Sequence, residues 1–424
     1  MKPRRPVLLL LALAVAVSAE RFAYYGLRST LPMMLRTEMG LDAAKVARTF
    51  ALAGTLSLLA IPFGGVLAWL LGSRTTAAIG TGIAMVGMMG VVAGAPLPSF
   101  LIVALGAGIF RAAPLTAIAE ELEPLPGRAQ RAAALAIGIY GLANLTAMFA
   151  SPITGAVAAS VGFRAGAALC LLSSITALVA AGLSHLAPRV LPDFAPRPIL
   201  RPGEDLPYRG NPVVDASPRA VSFGIVALAV ILLGSAMAAQ TLGSEVAMST
   251  LEAARERTTR DLGMLYTLNP IVVVGTSVIA GALLYATAGG AGRLKVGWAL
   301  GGGALLLAVG SIGLAVVPAG AVTLPWIVVA AGEAVCIPVG LAVVTLAVPP
   351  RYAGFAAGGA SFVTYAAATW GSQVARALQD ADVRATGGAQ PGLVGLTLFT
   401  AVVVLVVGVV SAAIARAFAA RGFD

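Results

Sequence analysis

Charged and phenolic side chains cluster inside the first apolar stretch of the chain. The segment ERFAYYGLR begins at Glu20 and ends at Arg28, with mostly apolar sequence on both sides. At about 100° per residue, one face of a helix here would carry Arg21, Tyr24, Tyr25 and Arg28. Glu20 lies at the edge of that face. Guanidinium groups can bind a carboxylate through two hydrogen bonds, so this face predicts a site for a charged ligand.

Two further charges lie inside apolar segments, and their signs are opposite. Arg111 stands in the middle of the fourth apolar segment, and Glu333 stands early in the tenth. One interpretation is a cavity for a bipolar ligand, with Arg111 on its carboxylate and Glu333 on its ammonium group. The other is that the two side chains pair with each other across a gate. Gln240 and Asn269 add hydrogen-bonding groups from other segments.

The composition requires membrane-spanning helices to position these side chains. Of the 424 residues, 59% are hydrophobic and 11% are charged, whereas about a quarter are charged in soluble proteins. A charged side chain is costly at the centre of a bilayer, so such residues usually face the bundle interior and serve a function. For Glu20, Arg21 and Arg28, the alternative is a buried ion pair that only holds the first helix to its neighbours.

A secretory signal peptide is the competing interpretation of the N-terminus. MKPRR is basic, the following residues are apolar, and VSA before Glu20 resembles a cleavage site. Cleavage there would leave eleven predicted spans and remove half of a segment that stays mostly apolar through Leu35. We therefore expect the segment to be kept as the first transmembrane helix.

The hydropathy pattern predicts twelve spans, since a transmembrane helix needs about 20 apolar residues. They cover residues 6–36, 45–72, 75–95, 99–122, 129–158, 162–186, 219–250, 259–287, 292–316, 324–348, 351–379 and 390–418. Residues 187–218 are rich in Pro and Arg and are typical of a cytoplasmic linker. They divide the chain into an N-terminal half, 1–186, and a C-terminal half, 219–424.

A short internal repeat supports two equivalent halves. GIFRAAP (108–114) in the fourth predicted span and GEAVCIP (332–338) in the tenth both carry Gly, five residues and then Pro. The alternative is coincidence, because Gly and Pro are frequent in membrane helices. We predict an all-α membrane protein with the major-facilitator fold, in which the site lies between two six-helix halves near the bilayer midplane.

Charge distribution and the scarcity of His and Cys limit the other functions. The net charge of +10 is concentrated in alternate loops and at both ends. This predicts a multi-pass membrane protein with both termini in the cytoplasm and no nucleic-acid partner. The Arg- and Ala-rich composition and the short loops suggest the inner cell membrane. One His and two Cys indicate neither a metal site nor another cofactor. No catalytic set or phosphate-binding loop occurs, so an enzyme is not expected.

Several of these segments resemble the proton-dependent oligopeptide transporter family, a branch of the major facilitators. ERFAYYGLR (20–28) resembles the family's first-helix motif, E-x-x-E-R-F-x-Y-Y-G. GIFR (108–111) resembles the fourth-helix segment in which the family has a lysine, and TLNP (267–270) resembles the family's SLNP. GEAVCIPVGLAVVTLAVPPRYAG (332–354) resembles the tenth helix and its following loop.

The resemblance implies transport of di- or tripeptides and assigns roles by position. The groups around the carboxylate end of the peptide would be Arg21, Tyr24, Tyr25, Arg28 and Arg111. The amino end would be held by Asn269 and Glu333, with Gln240 as a further substrate-binding residue. Proton coupling would involve Glu20, Arg21 and Glu333.

Three positions depart from the family pattern, and each bears on proton coupling. Val17 replaces the first glutamate of the motif, Gln240 replaces a glutamate of the seventh helix, and Arg111 replaces the lysine. Val17 and Gln240 cannot titrate, and an arginine stays charged. Glu20 and Glu333 are then the carboxylates that remain to carry a proton through the cavity.

We therefore expect a monomeric secondary active transporter in the lipid bilayer. It would take up small peptides or peptide-like substrates together with protons, by alternating access. One alternative keeps the fold as an uncoupled facilitator, or as a transporter of another zwitterionic or anionic metabolite. The other is a membrane scaffold or sensor without transport, against which the retained charges of Arg21, Arg28 and Glu333 argue.

Overall fold

The computed structural model is built from helices joined by short turns. It describes residues 7–122, 128–186, 219–253, 259–288, 296–318, 321–348, 352–386 and 390–420. The predicted linker, 187–218, lies outside the described residues.

Thirteen α-helices are present among these residues. The first seven are α1 (Val7–Thr37), α2 (Ala43–Leu71), α3 (Ser73–Val92), α4 (Pro96–Phe110), α5 (Ala113–Leu122), α6 (Arg128–Val161) and α7 (Phe163–Leu183), which ends in a 3₁₀ turn (Ser184–Leu186). The next six are α8 (Arg219–Ala253), α9 (Thr259–Thr287), α10 (Val296–Val316), α11 (Thr323–Leu346), α12 (Ala353–Thr386) and α13 (Pro391–Ala420). With α4 and α5 counted as one span, the twelve predicted spans are confirmed, and most ends differ by only a few residues.

Eleven segments among the described residues are long and apolar enough to cross a membrane, with α4 and α5 counted together. The twelfth, α12, is 34 residues long, which exceeds the length that a span needs. Small and hydroxyl residues in its first half (AGFAAGGASFVTY) lower its hydropathy, and charged residues follow in its second half. The composition of α12, rather than its length, therefore sets it apart.

The fourth span is interrupted, although the sequence predicts one helix over 99–122. α4 ends just before Arg111, and α5 begins two residues later. Pro114 explains the break, because its ring has no amide hydrogen to donate to Phe110 and clashes with the preceding turn. The amide of Arg111 bonds to the carbonyl of Gly108 instead, at 3.3 Å. Arg111 is thereby placed at a helix break and not in the middle of a helix.

The helices pack into two compact units. Of the described residues, those within 7–122, 142–186 and 348–362 form the first unit, and those within 128–141, 219–347 and 363–420 form the second. The beginning of α6 thus packs with the second unit, and the beginning of α12 packs with the first. The predicted division of the chain into halves 1–186 and 219–424 stays a prediction.

Glycines allow the most extensive helix pair of each unit to approach closely. These pairs are α3 with α4 in the first unit and α10 with α11 in the second. A Cβ atom added to Gly106 of α4 would lie 2.4 Å from the backbone N of Ala84. A Cβ atom added to Gly332 of α11 would lie 2.4 Å from the backbone N of Leu307. Small residues at such contacts are the usual means of tight helix packing in membranes.

A buried ion pair joins α3 to α5 in the first unit. Arg74 pairs with Glu121, and both side chains are 9% exposed. The guanidinium of Arg74 also donates to the carbonyl of Ser184 at 2.8 Å. Beside this pair, the hydroxyl of Ser73 donates to the carboxylate of Glu120 at 2.6 Å. Three segments are therefore tied together at one end of the unit.

The turn between α1 and α2 follows from two residues. Gly40 has a φ of 64°, a conformation that glycine adopts readily. The carboxylate of Asp42 then accepts from the amide of Lys45 at 2.7 Å and caps α2. This hydrogen bond holds the pKa of the exposed Asp42 carboxyl below its usual value.

Candidate functional site

α1 buries the glutamate of the ERFAYYGLR segment within the first unit. The side chain of Glu20 is 4% exposed, and Nε of Arg21 lies 3.4 Å from its Oε2 atom. Neither carboxylate oxygen has a hydrogen-bond partner among the described residues. The two neighbours therefore form an ion pair without an aligned hydrogen bond, and the carboxylate keeps unused acceptor capacity.

Tyr24 connects α1 to the break in the fourth span. Its ring belongs to the apolar core of the first unit, and Cζ of Arg111 lies 5.8 Å from the ring centroid. This distance is within the range of a cation–π contact. Tyr25 meets Tyr24 edge to face, with centroids 5.6 Å apart. The helix break thus brings the guanidinium of Arg111 onto a phenol ring of α1.

The predicted polar face of α1 is divided in the structure. Tyr24 is buried, Arg21 and Tyr25 are partly buried, and Arg28 is exposed. Arg28 forms no ion pair with any residue that the structure describes. The first unit therefore brings together Glu20 with Arg21, and Arg111 with the two tyrosines, and leaves Arg28 apart.

Neutral hydrogen-bond donors surround Glu333 in the second unit. Its side chain is 6% exposed. The Tyr140 hydroxyl of α6 donates to Oε1, and the Gln240 side-chain amide of α8 donates to Oε2. Asn269 of α9 contributes a third side-chain hydrogen bond. Within this unit, no described arginine or lysine forms an ion pair with Glu333.

Tyr140 is the member of this set that the sequence did not indicate. Its ring packs against a cluster of Val273, Ala330 and Ala334, which directs the hydroxyl towards Glu333. A tyrosine in the middle of a span has a polar tip that lipid cannot satisfy, and this is the signal that could have found it. Gln240 and Asn269, which the sequence did indicate, both contact Glu333.

The side-chain amide of Gln240, next to the Glu333 carboxylate, uses only one of its two polar atoms in a hydrogen bond. Its amide nitrogen donates to Glu333, while its Oε1 is buried without a hydrogen-bond partner among the described residues. A primary amide carries donors on one side and an acceptor on the other. Rotation of the amide would let Gln240 accept a hydrogen bond from a protonated Glu333, so the arrangement suits either form of the carboxyl group.

Among the described residues there are twelve helical segments, eleven of them long and apolar enough to cross a membrane, and charged groups are buried in both units. This combination is typical of a multi-pass membrane transporter. The sequence profile of the Major Facilitator Superfamily matches residues 4–372. The chain therefore belongs to this superfamily, and the predicted all-α major-facilitator fold is confirmed.

Three solved transporter structures have similar folds. The proton:xylose symporter XylE bound to 6-bromo-6-deoxy-D-glucose is 14% identical with a TM-score of 0.67, over 96% of this chain and 94% of that chain. The peptide transporter POT in complex with sulfate is 17% identical with a TM-score of 0.65, over 97% of each chain. The POT family transporter PepTSo is 16% identical with a TM-score of 0.61, over 100% of each chain.

At these identities the likeness concerns the fold alone. No curated protein matches the sequence. A sugar symporter and peptide transporters share the fold with this chain to a similar degree. The substrate must therefore be inferred from the residues of the two units.

Proposed function

We propose that this chain takes up di- and tripeptides together with protons, as a divergent member of the proton-dependent oligopeptide transporters. Transport would follow alternating access, and the binding site would recognise the peptide by its amino and carboxylate ends. The chain would act as a monomer in the inner cell membrane, with both termini in the cytoplasm. The sequence segments 20–28 and 332–354 support the family branch, and the basic loops support the orientation.

The observation that carries the proposal is the neutral environment of Glu333. Tyr140, Gln240 and Asn269 satisfy its oxygens, but they supply no positive charge. Burial of an ionised carboxylate without a counter-charge is unfavourable. A ligand with an ammonium group would supply that charge, and the amino end of a short peptide is such a group. Glu333 is accordingly assigned to the amino end, with Asn269 and Gln240 beside it.

The first unit offers groups of the opposite sign. Arg21 and Arg111 are partly buried, with Glu20 and the Tyr24 ring as neighbours. A guanidinium has five N–H donors in a planar fork and can bind a carboxylate through two of them. We assign the carboxylate end of the peptide to this group, together with Tyr25 and Arg28.

Proton coupling is assigned to Glu20, Arg21 and Glu333. Glu20 and Arg21 form an ion pair without an aligned hydrogen bond, so protonation of Glu20 would release Arg21 for a ligand. At Glu333, rotation of the Gln240 amide would accommodate the protonated carboxyl group. Both glutamates could then gain and lose a proton although Val17 and Gln240 cannot.

An uncoupled facilitator, or a transporter of another zwitterionic or anionic metabolite, is the second candidate. It is favoured by two groups that cannot titrate, since Val17 is buried in α1 and Gln240 contacts Glu333 directly. In this case Glu333 would bind an ammonium group without exchanging a proton.

Uptake of labelled dialanine into proteoliposomes tests the proposal. We expect uptake to rise with an inward proton gradient in the wild type, and to lose that dependence in Glu20→Gln. Glu333→Gln should lose uptake itself, because the amide cannot neutralise an ammonium group. Glu38→Gln is the matched control, since Glu38 is exposed just beyond the end of α1.

Three results would contradict the proposal. Uptake that does not depend on the proton gradient would favour an uncoupled facilitator. Absence of uptake both with and without the gradient would exclude dialanine as a substrate. Equal uptake by Glu333→Gln and the Glu38→Gln control would remove Glu333 from the binding site.

A further inference from the structure

A small, partly open cavity lies beside Glu20 within the first unit. Its volume is about 10 Å³, and residues of α1, α3, α4 and α7 line it. The polar side chains of its wall are Glu20, Tyr24, Thr81 and Ser174. The rest of the wall is apolar, and four of those residues are alanines. Small side chains on four helices thus leave a space next to a buried carboxylate.

The size of the cavity fits a single water molecule. A space of about 10–15 Å³, measured for the centre of a water-sized sphere, is the least that holds one water. A peptide, a sugar or a hydrated ion does not fit such a space. The occupant is therefore limited to one water or one bare monovalent cation.

The hydrogen-bonding groups of the wall complement a water molecule. Both oxygens of Glu20 are buried without a hydrogen-bond partner among the described residues. The hydroxyl of Thr81 donates to the carbonyl of Ala77 at 2.8 Å, which leaves its oxygen able to accept. Ser174 is buried and adds a second hydroxyl. Buried waters typically have two to four such partners.

Charge favours water over a cation. Arg21 lies 3.4 Å from Glu20 and already balances the carboxylate. Arg111 adds a second positive charge next to Tyr24. The described residues that α3, α4 and α7 contribute to the wall carry no titratable carboxyl, amino or guanidinium group. A bare cation would leave an excess positive charge within a mostly apolar wall, which is unfavourable.

We propose that this cavity binds one water molecule, which bridges Glu20 to the hydroxyls of Thr81 and Ser174. Water both donates and accepts, so it can serve the ionised and the protonated carboxyl in turn. It supplies the hydrogen-bond partner that Glu20 lacks, and it equips Glu20 to hold a proton inside the first unit. The last step rests on the proposed role of Glu20 in proton coupling, whereas the water site itself does not.

A double-mutant cycle tests the water site. Ala107→Val fills the cavity from α4, and Glu20→Leu removes the carboxylate while keeping a side chain of similar size. We expect Ala107→Val to lower the midpoint of thermal unfolding by about 2–4 °C more in the wild type than in Glu20→Leu. Ala104→Val is the control, because Ala104 is equally buried on α4 but does not line the cavity. Its effect should be the same in both backgrounds.

An infrared measurement gives an independent readout and does not need Glu20→Leu to fold. The stretching band of the Glu20 carboxyl group is assigned by its loss in Glu20→Gln. Its frequency should shift in Ala177→Val, because the valine side chain displaces the water. The band should stay in place in Ala180→Val, whose site is one turn away on α7 and outside the wall.

Three outcomes would overturn the proposal. An equal effect of Ala107→Val in both backgrounds, or a stabilisation in the wild type, would mean that the cavity is dry. A midpoint that rises in sodium chloride relative to choline chloride, and only when Glu20 is present, would identify a cation. None of these measurements uses a peptide or a gradient, so failure of the proposed transport function would leave them unchanged.

Discussion

The two buried glutamates are held in opposite ways. Glu20 has a guanidinium neighbour and no hydrogen-bond partner among the described residues, while Glu333 has three neutral donors. A carboxylate that is balanced by a neighbouring charge can release that neighbour when it is protonated. A carboxylate that is hydrogen-bonded but not balanced attracts a cationic ligand. The roles proposed for the two residues follow from this difference.

Removal of the Tyr140 hydroxyl should destabilise the second unit. Tyr140→Phe keeps the ring on its apolar cluster but leaves Oε1 of Glu333 without its donor. Loss of one partner of a buried hydrogen bond costs about 1–3 kcal/mol in the free energy of unfolding. Thermal unfolding in detergent measures this, with Tyr285→Phe as the control because Tyr285 is 58% exposed. Equal effects of the two variants would contradict the hydrogen bond.

Gln240→Glu should make uptake depend more steeply on protons. Two carboxyl groups in contact cannot both ionise without repulsion, so the pair should hold one extra proton. Initial rates of dialanine uptake across a series of external pH values would show the change, with Gln240→Leu as the control for loss of the amide. A pH profile identical to that of the wild type would contradict the assignment of Gln240 to the environment of Glu333.

At the scale of helices, glycine and proline set the geometry that positions these groups. Pro114 breaks the fourth span and places Arg111 at the break, and glycines bring α10 and α11 into contact. The sequence contains Pro114 but does not predict that it interrupts the span. Pro338, at the equivalent position of the repeat, leaves α11 continuous. Whether a proline breaks a helix in a membrane depends on the neighbours that satisfy the freed backbone groups.

Adjacent glycines of α10 provide a matched test of the helix contact. A Cβ atom on Gly303 would lie 2.7 Å from the backbone N of Cys336, whereas nothing lies within 4 Å of one on Gly302. We expect Gly303→Ala to lower the thermal midpoint. Gly302→Ala should be neutral or stabilising, since alanine gains up to about 1 kcal/mol over glycine in a helix. The reverse order of the two midpoints would contradict the packing of α10 on α11.

The buried ion pair between α3 and α5 should contribute strongly to stability. Arg74→Met leaves the Glu121 carboxylate buried without its partner, at a cost of about 3–5 kcal/mol in the free energy of unfolding. Lys45→Met removes an exposed pair with Asp42, whose side chains are 66% and 57% exposed, and should change little. Chemical denaturation in detergent micelles compares the two variants. If Arg74→Met lowered the free energy of unfolding no more than Lys45→Met does, burial of the Arg74–Glu121 pair would be contradicted.

At the scale of the whole molecule, hydropathy and charge placement were sufficient to predict the class of fold. Twelve spans follow from the length of the apolar runs, because the bilayer permits few alternatives to helices. The partners of each charge do not follow from the pattern. Tyr140 reaches Glu333 across 193 positions of sequence, and the burial of Tyr24 in the core depends on packing that a helical wheel does not contain. Helical periodicity assigns a face to a residue but does not identify its neighbour.

We propose that the substrate is recognised by charges at both of its ends. Competition against uptake of labelled dialanine tests it most directly, with unlabelled dialanine, N-acetyl-dialanine and dialanine amide as competitors. We predict that dialanine competes well and that both blocked peptides compete poorly. Equal competition by all three peptides in the wild type would contradict the account.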